Sequence, residues 1–76
     1  MDNSYILKLF GNQLRILRLE KGFSQEKLAD RAHVHRTYIG MIERGEKNIT
    51  LLTMEKISHA LNVDLCTLVT FENEDD

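Results

Sequence analysis

The chain of 76 residues has no proline or tryptophan and only one cysteine, Cys66. One cysteine excludes an intramolecular disulfide, and a lone thiol cannot supply a cysteine-rich metal site. No apolar run approaches the ~20 residues that a membrane helix needs. The N-terminus MDNSYILKLF also carries an acid ahead of its apolar stretch, unlike a signal peptide. We therefore expect one small cytoplasmic domain with a helical apolar core, completed where necessary by a partner subunit.

Charge of either sign is modest overall, and the formal net charge is −2. Four acids, however, lie in the last five residues, whereas residues 1–71 carry ten basic and eight acidic side chains. The sequence thus predicts a mildly basic body over residues 1–71 and a disordered acidic tail over residues 72–76. This distribution favours DNA binding only slightly.

Helical periodicity of the apolar residues predicts an all-α fold with five helices. They are expected at residues 4–21, 25–32, 36–44, 51–61 and 65–71. Polar caps at Ser24, Thr50 and Asp64 mark starts, and Gly22, Gly45 and Asn62 mark ends. The inward stripe of the fourth helix is predicted to be Leu51, Met54, Ile57, Ala60 and Leu61. We expect Cys66 to be a small buried residue.

The segment QEKLADRAHVHRTYIGMIER, residues 25–44, carries most of the functional information. Leu28 and Ala32 share one helical face, as do Ile39 and Ile42, and a turn separates the two pairs. Two short helices that share a buried seam across a tight turn are typical of a helix-turn-helix, in which the second helix enters the major groove of DNA.

From about residue 10 to residue 71 the chain resembles the Xre-type helix-turn-helix regulators, the class of the lambdoid phage repressor and Cro domains. The resemblance rests on LRLEKGFSQEKLA, RTYIGMIERGEKN and NVDLCTLV. More narrowly, RLEKG with RTYIGMIERGEKNIT is similar to the controller proteins of restriction–modification systems. This resemblance implies a five-helix lambda-repressor-like fold. It also implies a homodimer that binds a pseudo-palindromic double-stranded DNA operator, with no cofactor and no small-molecule ligand.

Other functions remain open at this point. The chain could belong to a phage repressor or Cro-like regulator, or to an antitoxin. A different class is a protein-interaction module that has lost DNA binding, which the net charge of −2 favours. An enzyme is not expected, because no nucleophile–base pair, phosphate-binding glycine loop or acid pair is recognisable.

Base-reading side chains are expected at the start of the third helix, at Arg36, Thr37 and Tyr38. Arginine can bond a guanine edge through two hydrogen bonds, and a threonine methyl can contact that of thymine. Phosphate contacts are expected elsewhere around the motif, at Gln25, His35, Arg44, Lys47 and Asn48. The alternative for each is an ordinary solvated side chain.

The resemblance also implies an ion pair between Arg18 and Glu43, which would join the first and third helices as a scaffold rather than a binding element. His33 occupies the turn position where this family often has glycine, and histidine tolerates positive φ better than most residues. His35 replaces a serine-like N-cap and is expected to cap poorly. A metal site at these two histidines is not expected, because nothing completes a ligand set.

A surplus of apolar residues near the C-terminus predicts a twofold dimer built on the fourth and fifth helices. Its interface residues would be Val63, Leu65, Leu68, Val69 and Phe71. The alternative is that these residues only close the core of the monomer. Activation of transcription would need a surface for RNA polymerase, for which the acidic tail, Glu26 and Asp30 are the candidates.

Overall fold

The computed structural model describes residues 3–71, and this part of the chain forms helices and no strand. The helices are α1 (Asn3–Glu20), α2 (Gln25–Ala32), α3 (Arg36–Glu43), α4 (Leu51–Leu61) and α5 (Leu65–Leu68). The predicted five-helix, all-α class is confirmed. The predicted acidic tail, residues 72–76, lies outside the described residues. Within the described part, no helix is long and apolar enough to cross a membrane.

Side-chain caps define the starts of the helices, as the sequence predicts. The Ser24 hydroxyl accepts a hydrogen bond from the Lys27 amide at 2.9 Å. Thr50 and Asp64 likewise begin α4 and α5 by accepting bonds from amides three residues on. Because a cap satisfies an otherwise unpaired amide, each of these residues stops the helix from extending backwards.

The predicted C-terminal boundaries hold to within one residue, except in the last helix, since α1 ends at Glu20 and α3 at Glu43. Gly22, Gly45 and Asn62 all have positive φ, which lets the backbone turn away after α1, α3 and α4. α5 ends at Leu68 rather than at Phe71, because Val69, at φ −109° and ψ 10°, leaves the helical conformation.

One apolar core joins all five helices. The seam predicted for the helix-turn-helix is present, since Leu28, Ala32, Ile39 and Ile42 are all buried. The complete set of buried apolar side chains is Phe10, Leu14, Leu17, Leu28, Ala29, Ala32, Ile39, Ile42, Ile57, Ala60, Leu61 and Leu68. The two elements of the helix-turn-helix therefore pack as one rigid unit on α1 and α4.

Two burial predictions are wrong. Leu51 is 66% exposed, because it lies about 15 Å along the axis of α4 from Leu61. The first turn of α4 thus extends beyond the core. Cys66 is also exposed. On the short α5, Leu68 takes the inward position, and a residue two places earlier points to nearly the opposite side.

Gly11 allows α1 to approach the end of α3 closely, a contact that the sequence did not reveal. A Cβ atom at this position would clash with the Ile42 carbonyl oxygen and lie 2.7 Å from that of Glu43. Arg18 follows Gly11 by two helical turns and so faces the same side of α1. The close approach therefore brings Arg18 within reach of α3.

Candidate DNA-binding surface

A buried ion pair joins α1 to the end of α3. Arg18 Nε lies 2.6 Å from Glu43 Oε2, and Arg18 Nη2 lies 3.1 Å from Glu43 Oε1. The side chains are only 9% and 4% exposed. A third bond, from Arg18 Nη1 to the Phe23 carbonyl at 2.8 Å, extends the contact to the loop before α2. The resemblance implied this pair, and the structure places its two residues in contact.

The same carboxylate also holds Gln25. Gln25 Nε2 donates to Glu43 Oε1 at 3.0 Å, which links the first residue of α2 to the last residue of α3. Glu43 thus accepts three hydrogen bonds from two helices, and the angle between α2 and α3 is supported by polar contacts as well as by the apolar seam. Sequence reasoning missed this bond, because the two residues are 18 positions apart.

An open hollow lies between the starts of α2 and α3, and we call it the recognition hollow. It is lined by Arg18, Ser24, Gln25, Glu26, Arg36, Thr37, Gly40 and Arg44. Four of the predicted DNA contacts, namely Gln25, Arg36, Thr37 and Arg44, therefore lie on one face.

Gly40 keeps the middle of the recognition hollow open. A Cβ atom here would lie 3.1 Å from Arg44 Nη1 and 3.5 Å from Gln25 Oε1. Any larger residue would therefore crowd the two flanking polar side chains. The absence of a side chain at Gly40 thus leaves room for Gln25 and Arg44 on either side.

Arg36 and Thr37 form the first turn of α3 and are exposed. Arg36 Nη1 lies 3.9 Å from Glu26 Oε2, with both side chains largely in solvent. An exposed pair at this distance contributes little stability, about 0–1 kcal/mol. Arg36 can therefore leave Glu26 for a better acceptor at small cost.

The predicted residues farther along α3 and in the next loop differ in their surroundings. Tyr38 is partly buried against the core, and Lys47 Nζ lies 5.9 Å from the centre of its ring. Arg44 Nε is 3.1 Å from Glu46 Oε2 in an exposed pair. Lys47 and Asn48 are exposed. Tyr38 thus contributes to packing, while Lys47 and Asn48 form one accessible polar edge.

His35 caps α3 directly, at the position where a serine-like residue was expected from the resemblance. Its Nδ1 accepts a hydrogen bond from the Thr37 amide at 3.1 Å. His33 has the predicted left-handed conformation, with φ 60°. In the described residues, no group of three or more His, Cys, Asp or Glu side chains could hold a metal ion.

The apolar residues predicted for a dimer interface do not form one continuous surface. Leu68 is fully buried in the core of the monomer, so its assignment to the interface is wrong. Phe71 packs edge-to-face on Phe10, with ring centres 6.4 Å apart. Val63 and Leu65 are partly buried against the core, and Val69 is 43% exposed.

A different pair of apolar side chains is largely exposed to solvent. Leu51 and Leu52 are 66% and 63% exposed at the start of α4. They line an open apolar groove together with Leu65 and Glu55. We call Leu51, Leu52 and Leu65 the leucine patch. A run of two leucines directly after the cap Thr50 is the available sequence signal, but helical periodicity assigns the first of them, Leu51, to the core.

Comparisons with known proteins agree with this geometry. The helix-turn-helix family model HTH_3 matches residues 14–68. Control protein C.BamHI of Bacillus amyloliquefaciens is 52% identical over 64 residues, which cover 83% of this chain and 79% of the relative. Control protein C.SmaI of Serratia marcescens is 40% identical over 65 residues, covering 86% and 77%.

Among solved structures, the restriction–modification controller protein C.AhdI from Aeromonas hydrophila is similar, with a TM-score of 0.87 and 40% identity. The match covers 90% of this chain and 99% of that protein. Members of the matching family regulate transcription and are not enzymes. The chain therefore belongs to the Xre-type helix-turn-helix family of DNA-binding transcription regulators, and its relatives include the control proteins of restriction–modification systems.

Proposed function

We propose that this protein is a homodimeric, sequence-specific regulator that binds a pseudo-palindromic operator and controls a restriction–modification system. The observation that carries the proposal is the recognition hollow, in which Arg36 and Thr37 stand at the exposed start of α3 beside Gln25 and Arg44. The identity to control proteins over most of the chain supports the subtype. A regulator of the chromosome acts where DNA lies, so we assign it to the cytoplasm.

The side chains divide between reading and positioning. Arg36 and Thr37, with Tyr38 beside them, are proposed to contact base edges in the major groove. Phosphate contacts are proposed for Gln25, His35, Arg44, Lys47 and Asn48. Gln25 is supported in this role because its bond to Glu43 holds its amide at the N-terminus of α2, where backbone amides already favour an anion.

A second copy of the chain is the proposed occupant of the leucine patch. The patch exposes two leucines and adjoins α5, where Val69 is also exposed. A pseudo-palindromic site has two half-sites, so a second copy of the chain is needed to present two reading helices. Twofold symmetry would set those helices about 34 Å apart, one turn of DNA. In this proposal Leu51 and Leu52 take the interface role that was predicted for the buried Leu68.

The experiment that tests the proposal is selection of bound sequences from a random duplex DNA pool, followed by affinity measurements on the recovered site at several salt concentrations. We expect a two-half-site motif and an affinity that falls steeply with salt, because phosphate contacts release counterions. Recovery of no motif, together with salt-independent binding, would favour the protein-interaction module and overturn the proposal.

The subtype and the mode of regulation have their own test. In a reporter assay, a controller should act on the promoters of a methyltransferase or endonuclease gene adjacent to its own. Transcriptional activation would require contact with RNA polymerase, for which the exposed acids Glu26 and Asp30 of α2 and the acidic tail are proposed. If the protein changed transcription only from unrelated promoters, it would be a transcription regulator of another subtype and not a restriction–modification controller.

A further inference from the structure

His35 has a bonding arrangement that the function described so far does not use. Its Nδ1 accepts the amide hydrogen of Thr37, two residues on, at 3.1 Å. The backbone of His35 is extended, at φ −76° and ψ 144°, which is the usual conformation of an N-cap. An imidazole nitrogen therefore fills the place that a hydroxyl or carboxylate oxygen fills at α2, α4 and α5.

An imidazole differs from those other caps because it can lose its acceptor. A nitrogen that accepts a hydrogen bond carries no proton, so the neutral ring of His35 has its proton on Nε2. Uptake of a second proton converts Nδ1 into a donor that faces the Thr37 amide. It also places a positive charge at the positive end of the α3 dipole. Protonation therefore removes the cap and opposes the first turn of α3.

Charged groups of both signs lie close to the ring. His35 lines a shallow hollow with Glu26 and Asp30 of α2 and with Arg36 of α3. The ring therefore faces two carboxylates and one guanidinium group. In proteins generally, the charge of histidine changes between about pH 5 and 8, so the test of the proposal spans that range.

The turn that depends on this cap is the one that carries the proposed base-reading residues. Arg36 and Thr37 are the first two residues of α3, and the amide of Thr37 is itself the capped group. α3 is only eight residues long, so loss of its first turn is a large change. An unwound first turn would separate the base-reading side chains from their positions beside Gln25 in the recognition hollow.

We propose that His35 is a positioning residue whose neutral imidazole orders Arg36 and Thr37, so that discrimination between specific and non-specific DNA falls when the ring takes up a proton. The proposal rests on the proposed function. Discrimination, rather than affinity alone, is the relevant quantity. A protonated His35 would attract the phosphates of any DNA, but only an ordered first turn reads base edges.

The cap can be tested without DNA by nitrogen-15 NMR of the full chain. At about pH 8 we expect His35 in the tautomer with hydrogen on Nε2. On acidification to about pH 5.5, the Thr37 amide should lose protection from hydrogen exchange relative to the Thr53 amide. Thr53 is a matched reference because the hydroxyl of Thr50 caps it, and a hydroxyl does not titrate in this range. An Nδ1–H tautomer, or a constant ratio of the two protections, would overturn the proposal.

The consequence for recognition is tested by comparing the wild type with His35→Asn. Asparagine is a strong N-cap that does not change charge, and the variant keeps His33 and His59 as sources of any unrelated pH dependence. The probes are the duplex recovered by selection and a scrambled duplex of equal length. In the wild type, we expect their affinity ratio to fall about fivefold between pH 8 and pH 5.5, as loss of one typical cap implies.

His35→Asn should keep a constant ratio over the same range. The proposal would be overturned if the affinity ratio of the selected to the scrambled duplex changed with pH in the same way in both proteins. It would also be overturned if this ratio rose on acidification of the wild type. Failure of the wild type to prefer the selected duplex at any pH would instead overturn the proposed function. The His35 tautomer and the protection of the Thr37 amide distinguish the two failures, because both are measured without DNA.

Discussion

Gln25 and Arg18 are held by one carboxylate, and Glu43 is the residue that connects them. Gln25 Nε2 lies 3.0 Å from Glu43 Oε1, and Arg18 Nε lies 2.6 Å from Glu43 Oε2. The last residue of α3 therefore fastens both α1 and the start of α2. A residue that touches the core and the edge of the recognition hollow can transmit a defect in packing to the DNA-binding surface.

Replacement of Glu43 by alanine should destabilise the protein by about 3–5 kcal/mol, because Arg18 would remain buried without its partner. Urea denaturation followed by circular dichroism measures the loss. Glu20→Ala, which removes an exposed acid from the last turn of α1, is the matched control and should change stability by less than about 0.5 kcal/mol.

A double variant, Arg18→Met with Glu43→Leu, separates the buried charge from the shape of the contact. Replacement of both charges by apolar groups of similar volume commonly restores much of the stability. We expect the double variant to be more stable than Glu43→Ala alone. Equal stability of wild type and Glu43→Ala would show that the ion pair does not support the fold.

Arg36 and Arg44 both line the recognition hollow. Their replacement by alanine should nevertheless change DNA binding in different ways. Arg36→Ala should cost about 1–3 kcal/mol on the selected site and relax the preference at one base position. Arg44→Ala should weaken binding to all sequences alike and reduce the salt slope by about one. Titration of each variant against the selected duplex and its single-base variants measures both effects. Identical sequence profiles for the two variants would contradict this division.

Local chemistry made the helix boundaries and the helix-turn-helix predictable. Ser24, Thr50 and Asp64 act on amides three residues away, so the signal and its effect are both contained in a short stretch of sequence. The starts of α2, α4 and α5 therefore agree with the prediction. The position of Arg36 and Thr37 was predictable to a similar extent, because they occupy the exposed first turn of a recognisable motif, while their contacts with DNA stay a prediction.

Tertiary packing accounts for what the sequence did not reveal. Helical periodicity places Leu51 on the inward side of α4 but cannot tell where the neighbouring helices end. The four-residue α5 is too short for periodicity to distinguish Cys66 from Leu68. The close approach at Gly11 depends on the backbone of α3, distant in sequence. The bond that His35 accepts from the Thr37 amide could not be predicted, because it depends on which ring nitrogen faces that amide.

Leu52→Lys should shift the protein from dimer to monomer, because it places a charge in the centre of the proposed interface. Leu19→Lys is a matched control, since Leu19 is 52% exposed on α1, away from the leucine patch. Sedimentation velocity at tens of micromolar protein measures the distribution of species. We expect wild type and Leu19→Lys to sediment as dimers. A dimeric Leu52→Lys protein would place the interface elsewhere.

Asp64 should make the stability of α5 depend on pH. Hydrogen bonds from the Thr67 amide and hydroxyl lower the pKa of the Asp64 carboxyl below the ordinary value of 3.8. A group whose pKa is lower in the folded state stabilises the fold above the unfolded-state value and loses that contribution as the pH falls through the folded-state value. Asp64→Ala should therefore lower the thermal midpoint at pH 7, and its difference from the wild type should narrow as the pH falls below 3.8. Thermal unfolding measured by circular dichroism at several pH values tests this, with Asp30→Ala as an exposed acidic control. A difference between wild type and Asp64→Ala that stays constant from pH 7 to pH 3 would show that the charge on Asp64 does not contribute.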